Sequence, residues 1–280
     1  MKDSCFKPDM RIYLSRQKSV RFGKKIFAIC ITLLLFSGCK KFIQIGPPQS
    51  QISSTSVFAS DASATSAVSG LYSQMISNYG FASGSLQSVS YLCGLSADEL
   101  TNYSNSPDQA GFYANNLLSN NSVVTSTLWG EPYQYIYDAN SIIEGLNGSK
   151  GVSDPVKAQL LGEAYFIRSF CLFYLVNLFG SVPLITSSDY RINDTASRSS
   201  VGKIYRKITQ DLQNAQSLMS EDYTFSGGER VRPNKYAAAA LLARVYLFSE
   251  DWADAEAEAS LCINNTATYS LISDLNAVFL

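Results

Sequence analysis

Histidine is absent from all 280 residues. That removes the usual general base near neutral pH and the most common metal ligand. Cysteine is sparse and scattered. Once an amino-terminal leader is set aside, Cys93, Cys171 and Cys262 remain besides Cys39, an odd number without C-x-x-C spacing. A zinc site needs clustered ligands, so no metal and no cofactor is expected. Cys171, within Phe170-Cys171-Leu172-Phe173, reads as a buried, inert thiol. Alternating strand patterns of useful length are missing too. The acidic doublet Asp98-Glu99 suggests a glycosidase pair. Adjacent residues seldom hold two carboxylates across one bond, at the roughly 5–9.5 Å that glycosidases use. With no nucleophile–base arrangement and no phosphate loop, the chain does not read as an enzyme.

Long apolar runs are also lacking. The stretch ahead of Cys39, Ile26 to Phe36, is eleven residues with only Thr32 polar, against the roughly 20 that span a hydrocarbon core. Lys24-Lys25 precede it and Ser37-Gly38-Cys39 follow, which is the order of a secretory leader. Cysteine directly after Gly38 makes it resemble a lipoprotein signal, with Phe36 where such signals more often carry Leu. The expected organisation is therefore a signal peptide over 1–38, acylation at Cys39, a lipidated tether over 39–60 and a helical domain over 61–280. Lysines and arginines number 22 and acids 23; the leader takes eight of the former and two of the latter, leaving a net −7. An acidic surface without a basic stripe excludes nucleic acid as a partner.

Periodicity beyond the tether is helical. Ala64, Ala67, Val68, Leu71, Tyr72 and Met75 form one stripe in a helix starting near Asp61. From Asn78 to Asn121 the pattern dissolves into an irregular stretch rich in Gly, Ser, Asn and Tyr, with Gly80 to Gly84 read as a flexible turn. Thr125 to Leu146 is helical again. Next, Asp154-Pro155 opens and Gly180 closes a helix whose stretch Ala164 to Leu178 is apolar nearly all round. Such a helix belongs in the middle of an array. Ser199 to Met219 has one buried stripe through Ile204, Ile208, Leu212, Ala215 and Leu218. The final pair, Pro233–Ser249 and Asp251–Asn264, resembles a tetratricopeptide hairpin, with Tyr246 central and Ala255 and Ala259 facing back. The fold class is all-α, built from tetratricopeptide-like hairpins with long irregular loops. Trp129, Trp252 and Tyr246 are expected inside, and Arg168 and Arg244 are expected to bond internally.

Several segments in order resemble the SusD/RagB family of surface lipoproteins. The strongest runs Leu161-Gly162-Glu163-Ala164-Tyr165-Phe166-Ile167-Arg168-Ser169-Phe170 and on through Leu178-Phe179-Gly180-Ser181-Val182-Pro183-Leu184. Trp129…Tyr133…Asn140, Ile204-Tyr205…Asp211-Leu212 and Arg232-Pro233-Asn234-Lys235-Tyr236 support it. The resemblance implies a non-catalytic glycan or nutrient binder, lipid-anchored at the outer membrane and facing the cell exterior. It implies a TonB-dependent, SusC-like transporter as partner. Family members are roughly twice as long, so the helical domain is expected to be incomplete at its carboxyl end. The other readings are a tetratricopeptide scaffold for protein partners, or a non-functional truncated fragment. In the family a loop after a segment like Ser96-Ala97-Asp98-Glu99-Leu100 contacts ligand. Here that loop offers Tyr103, Asn105, Asp108, Phe112 and Tyr113. Aromatic faces and planar polar side chains are what sugars require. The alternative for Phe112 and Tyr113 is that they pin the loop to the helices.

Overall fold

The computed structural model describes residues 54–77 and 80–277. The leader, Cys39 and most of the tether lie outside the described residues, as do Val278, Phe279 and Leu280. Among the described residues no helix is long and apolar enough to cross a membrane.

The protein is all-α. Helices α1 (Ser54–Val57) and α2 (Asp61–Ile76) lead to two short helices, α3 (Val89–Ser96) and α4 (Pro107–Tyr113). A π-helical segment, Val124–Gly130, runs straight into α5 (Glu131–Gly148), and α6 (Asp154–Phe179) follows. The widened turn has a local cause. Pro132 has no N–H to give and its ring crowds the carbonyl four residues back. The N–H of Glu131 accordingly bonds the carbonyl of Ser126, five residues earlier.

Beyond α6, strands β1 (Val182–Pro183) and β2 (Arg198–Ser199) form an antiparallel two-residue bridge, pairing Val182 with Ser199 and Pro183 with Arg198. It closes an excursion that holds α7 (Tyr190–Asn193). Helices α8 (Val201–Leu218), α9 (Lys235–Phe248) and α10 (Trp252–Asn264) complete the array.

Successive long helices pack side by side, α5 on α6, α6 on α8, α8 on α9 and α9 on α10, with α2 lying against α5 and α6. Helix α6 is thus enclosed from several sides, and Leu160, Ala164, Ile167, Cys171, Leu172 and Leu175 are at most 1% exposed. Its ends are local chemistry. Pro155 sits in the first turn, and Gly180 at φ +68° turns the chain out of the helix, a conformation that costs a Cβ-bearing residue strain. At Gly162 a Cβ would stand 2.5 Å from Met219 Cγ, so the bare backbone is what lets α6 and the end of α8 approach.

Two ionic networks tie the array. Arg168 on α6 donates through Nε to Asp211 Oδ2 at 2.8 Å and through Nη2 to Oδ1 at 2.9 Å. Its Nη1 donates to Asn140 Oδ1 on α5 at 2.6 Å. One turn away, Arg232 holds Glu163 with bonds of 2.9 and 2.7 Å, while Gln159 Nε2 donates to the same carboxylate at 2.8 Å. Burial raises the Glu163 pKa, and the Arg232 guanidinium works against that shift.

Four expectations need correction. Residues 54–60 are folded rather than tether: Phe58 is 7% exposed, its carbonyl accepts from Ser149 Oγ, and its ring lies over Gly145, where a Cβ would come within 2.1 Å of it. Trp252 is 62% exposed because it opens α10 at the hairpin turn, off the face that meets α9. Arg244 is exposed and stacks on the rings of Phe173 and Phe248, at 5.8 and 6.0 Å, instead of bonding inside. Tyr246 is only half-buried, and Gln213 Nε2 donates to its hydroxyl at 3.1 Å.

Candidate functional site

The stretch read as irregular, 78–121, contains α3 and α4, and its folding starts at Gly80. Gly80 is buried, and a Cβ there would lie 2.9 Å from Glu131 Oε2. That carboxylate accepts from the Phe81 N–H at 2.6 Å and from the Tyr135 hydroxyl at 3.2 Å. Phe81, fully buried, sets its ring edge-on to Phe170 and Tyr174 of α6. Gly80 is therefore a packed position rather than a loose turn.

From this anchor α3 carries the loop. Ser88 caps it, accepting from the Tyr91 N–H, and Leu92 and Leu95 are fully buried. At its far end Asp98 adopts φ +59° and reverses the chain. Short side chains then fix the return. Ser96 Oγ donates to the Phe112 carbonyl at 3.0 Å, and Asn115 Nδ2 donates to the Ser96 carbonyl at 3.0 Å. Gln109 Nε2 donates to the Leu86 carbonyl at 2.9 Å. Asn121, 5% exposed, does two jobs. Its amide nitrogen donates to the Asp108 carbonyl at 3.1 Å, while its oxygen accepts from the N–H groups of Val123 and Val124, each at 3.1 Å. It thereby caps the helical turn that leads into the π-helical segment and ties that turn to α4.

The result is a hollow of about 460 Å³, lined by Asp108, Gly111, Asn116, Leu118, Asn120 and Asn121 among others. Of the five residues expected to touch ligand, Asp108 lines this hollow. Its Oδ2 accepts from Ser122 Oγ at 2.5 Å. Tyr103 (91% exposed), Asn105 and Tyr113 (43%) are on the surface of the same loop but outside the lining. Phe112 is 4% exposed in the core, so its ring takes the loop-pinning role. Cys39 lies outside the described residues. The hollow also uses Asn116, Leu118, Asn120 and Asn121, which the sequence reading did not single out. The density of asparagines between 115 and 121 was the available signal.

A second aromatic group lies along α5. Trp129 is half-buried between Tyr133 and Phe179, with ring centroids 5.2 and 5.0 Å away. Arg198 of β2 covers it at 5.6 Å and donates to the Ser181 carbonyl at 2.6 Å. Tyr133 hydroxyl donates to the Pro183 carbonyl at 2.9 Å, and burial pushes its pKa well up. These contacts make Trp129 a support for the β-bridge rather than an open platform.

Comparison with known proteins agrees with this architecture. SusD-like protein P25 of Formosa agariphila is 27% identical over 263 residues, which cover 90% of this chain and 48% of that protein. SusD-like protein P2 of the same organism is 35% identical over 156 residues, 55% of this chain and 30% of the relative. The chain thus spans about half the length of P25, or less of its relatives. Among solved structures, a laminarin-binding SusD-like protein superposes with a TM-score of 0.66 at 21% identity, over 77% of this chain and 47% of the other. A SusD superfamily protein from Bacteroides vulgatus gives 0.62 at 26% identity, over 77% and 50%. Residues 49–247 match the model of a SusD-like family described as starch-binding and associating with the outer membrane, and the chain belongs to that family.

Proposed function

We propose that this chain is a non-catalytic glycan binder, anchored at the outer membrane through acylated Cys39 and facing the cell exterior. The loop from Ser96 to Asn121 holds the ligand, with Asp108 in the hollow and Tyr103, Asn105 and Tyr113 beside it. The helical array holds that loop rigid. A TonB-dependent transporter of the SusC type receives the captured glycan. The observation that carries this reading is the family match over 49–247, which takes in the whole loop. The test is calorimetry of the full chain, purified in detergent, against a panel of oligosaccharides. Saturable binding that weakens several-fold in Tyr103→Ala and Asn105→Ala supports it. Binding to no glycan at millimolar concentration removes it.

A further inference from the structure

The hollow beside α4 has a chemical character that narrows the ligand class. Between Lys41 and Lys150 the sequence contains no Lys or Arg at all, but seven Asp or Glu. Three of these acids, Asp98, Glu99 and Asp108, belong to the loop itself. Every cation among the described residues therefore comes from position 150 or later, and none lines the hollow. Arg198, which reaches back towards the π-helical segment, is held on the Trp129 ring and the Ser181 carbonyl.

The polar side chains that do line it are one carboxylate and three amides. Asp108 Oδ2 is engaged by Ser122, and Oδ1 has no hydrogen bond to the described residues. Asn121 spends its amide on the backbone. Asn116 and Asn120 are exposed, and their side-chain amides make no hydrogen bond to the described residues. What remains is one carboxylate oxygen, which only accepts, and two amides, which both donate and accept. Hydroxyl groups satisfy such a set, since each O–H gives one bond and takes others. A ligand carboxylate or sulfate brings acceptors alone and meets the Asp108 charge with no guanidinium or ammonium to offset it.

We infer that the hollow selects uncharged, hydroxyl-rich saccharides and rejects uronic-acid and sulfated ones, with Asp108 as the charge filter. This rests on the glycan-binding reading of the same loop. A ligand anion within about 5 Å of Asp108 loses about fourfold in affinity even at the dielectric constant of water, and more where the wall excludes solvent. A hollow of about 460 Å³ lies within the usual range for small-ligand sites.

The experiment screens the full chain in detergent on an array of neutral, uronic-acid and sulfated oligosaccharides. The best neutral ligand and its anionic counterpart of equal length are then titrated at low and high salt, in wild type and Asp108→Asn. The expected result is neutral binding with at least about a fourfold preference at low salt, a gap that narrows with added salt and closes in the variant. An anionic ligand bound more tightly than its neutral counterpart overturns the inference and leaves glycan binding standing. So does a preference that neither salt nor Asp108→Asn changes. The wild-type half of the salt series can be read by itself, so it decides even if the variant fails to fold. No binding to any oligosaccharide overturns both readings.

Discussion

Arg168 and Asp211 join three helices, and removing either should give different losses. Both side chains are buried, at 4% and 0% exposure. Asp211 has a second cation, Lys207 Nζ at 2.9 Å, whose own side chain is 23% exposed. In Asp211→Leu the guanidinium keeps only the Asn140 oxygen and the Tyr165 ring, 5.4 Å away. A buried charge left without its counter-ion costs about 3–5 kcal/mol. In Arg168→Met the carboxylate still has Lys207, and the loss is that of charge-assisted hydrogen bonds, about 2–3 kcal/mol. The double variant buries no lone charge, since Lys207 can turn to solvent. It should therefore be more stable than Asp211→Leu alone, with a coupling energy of at least about 1.5 kcal/mol. Urea unfolding at 25 °C, followed by circular dichroism with unchanged slopes, measures all four proteins. The reasoning fails if Arg168→Met is the worse single variant, or if coupling falls below about 0.5 kcal/mol.

Three further outcomes are expected. Phe58→Ala should destabilise by about 3–5 kcal/mol, and Gly145→Ala should displace the same ring; unchanged melting and unchanged resistance to proteolysis ahead of Asp61 would show that residues 54–60 are not docked. The N–H and then the hydroxyl of Ser153 bond Asp61 and hold its carboxyl below the ordinary 3.8. That contribution is present above pH 3.8 and lost as pH falls through the lower folded value, so the melting-temperature gap to Asp61→Asn should close in acid; a gap that stays constant or widens contradicts this. Cys39→Ala should move the protein from the membrane fraction to the soluble one, because several buried acyl chains hold where one is marginal. Wild-type protein found soluble would rule out the anchor.

Sequence alone determined the array. Helix α6 was legible because its signals are local: Pro155 at the start, Gly180 with φ +68° at the end, and an apolar run long enough to name the period. The stripe of α8 was equally local. Helices α3 and α4 were not legible, having eight and seven residues. Helices that short are marginal by themselves, and these exist because Leu92, Leu95 and Phe112 are packed by distant parts of the chain. The same reason hid the hollow. Asp108, Asn116 and Asn121 meet only after Ser96, Gln109 and Asn121 have bonded backbone that no periodicity points to. Trp252 was misplaced because a helical stripe gives a face, whereas burial requires a neighbour over that face. Arg168 and Asp211, 43 positions apart, read as two charges in sequence and as one ion pair in the fold. Short-range signals write the helices; which side chains meet depends on contacts between residues far apart in the chain, and those the tertiary structure decided.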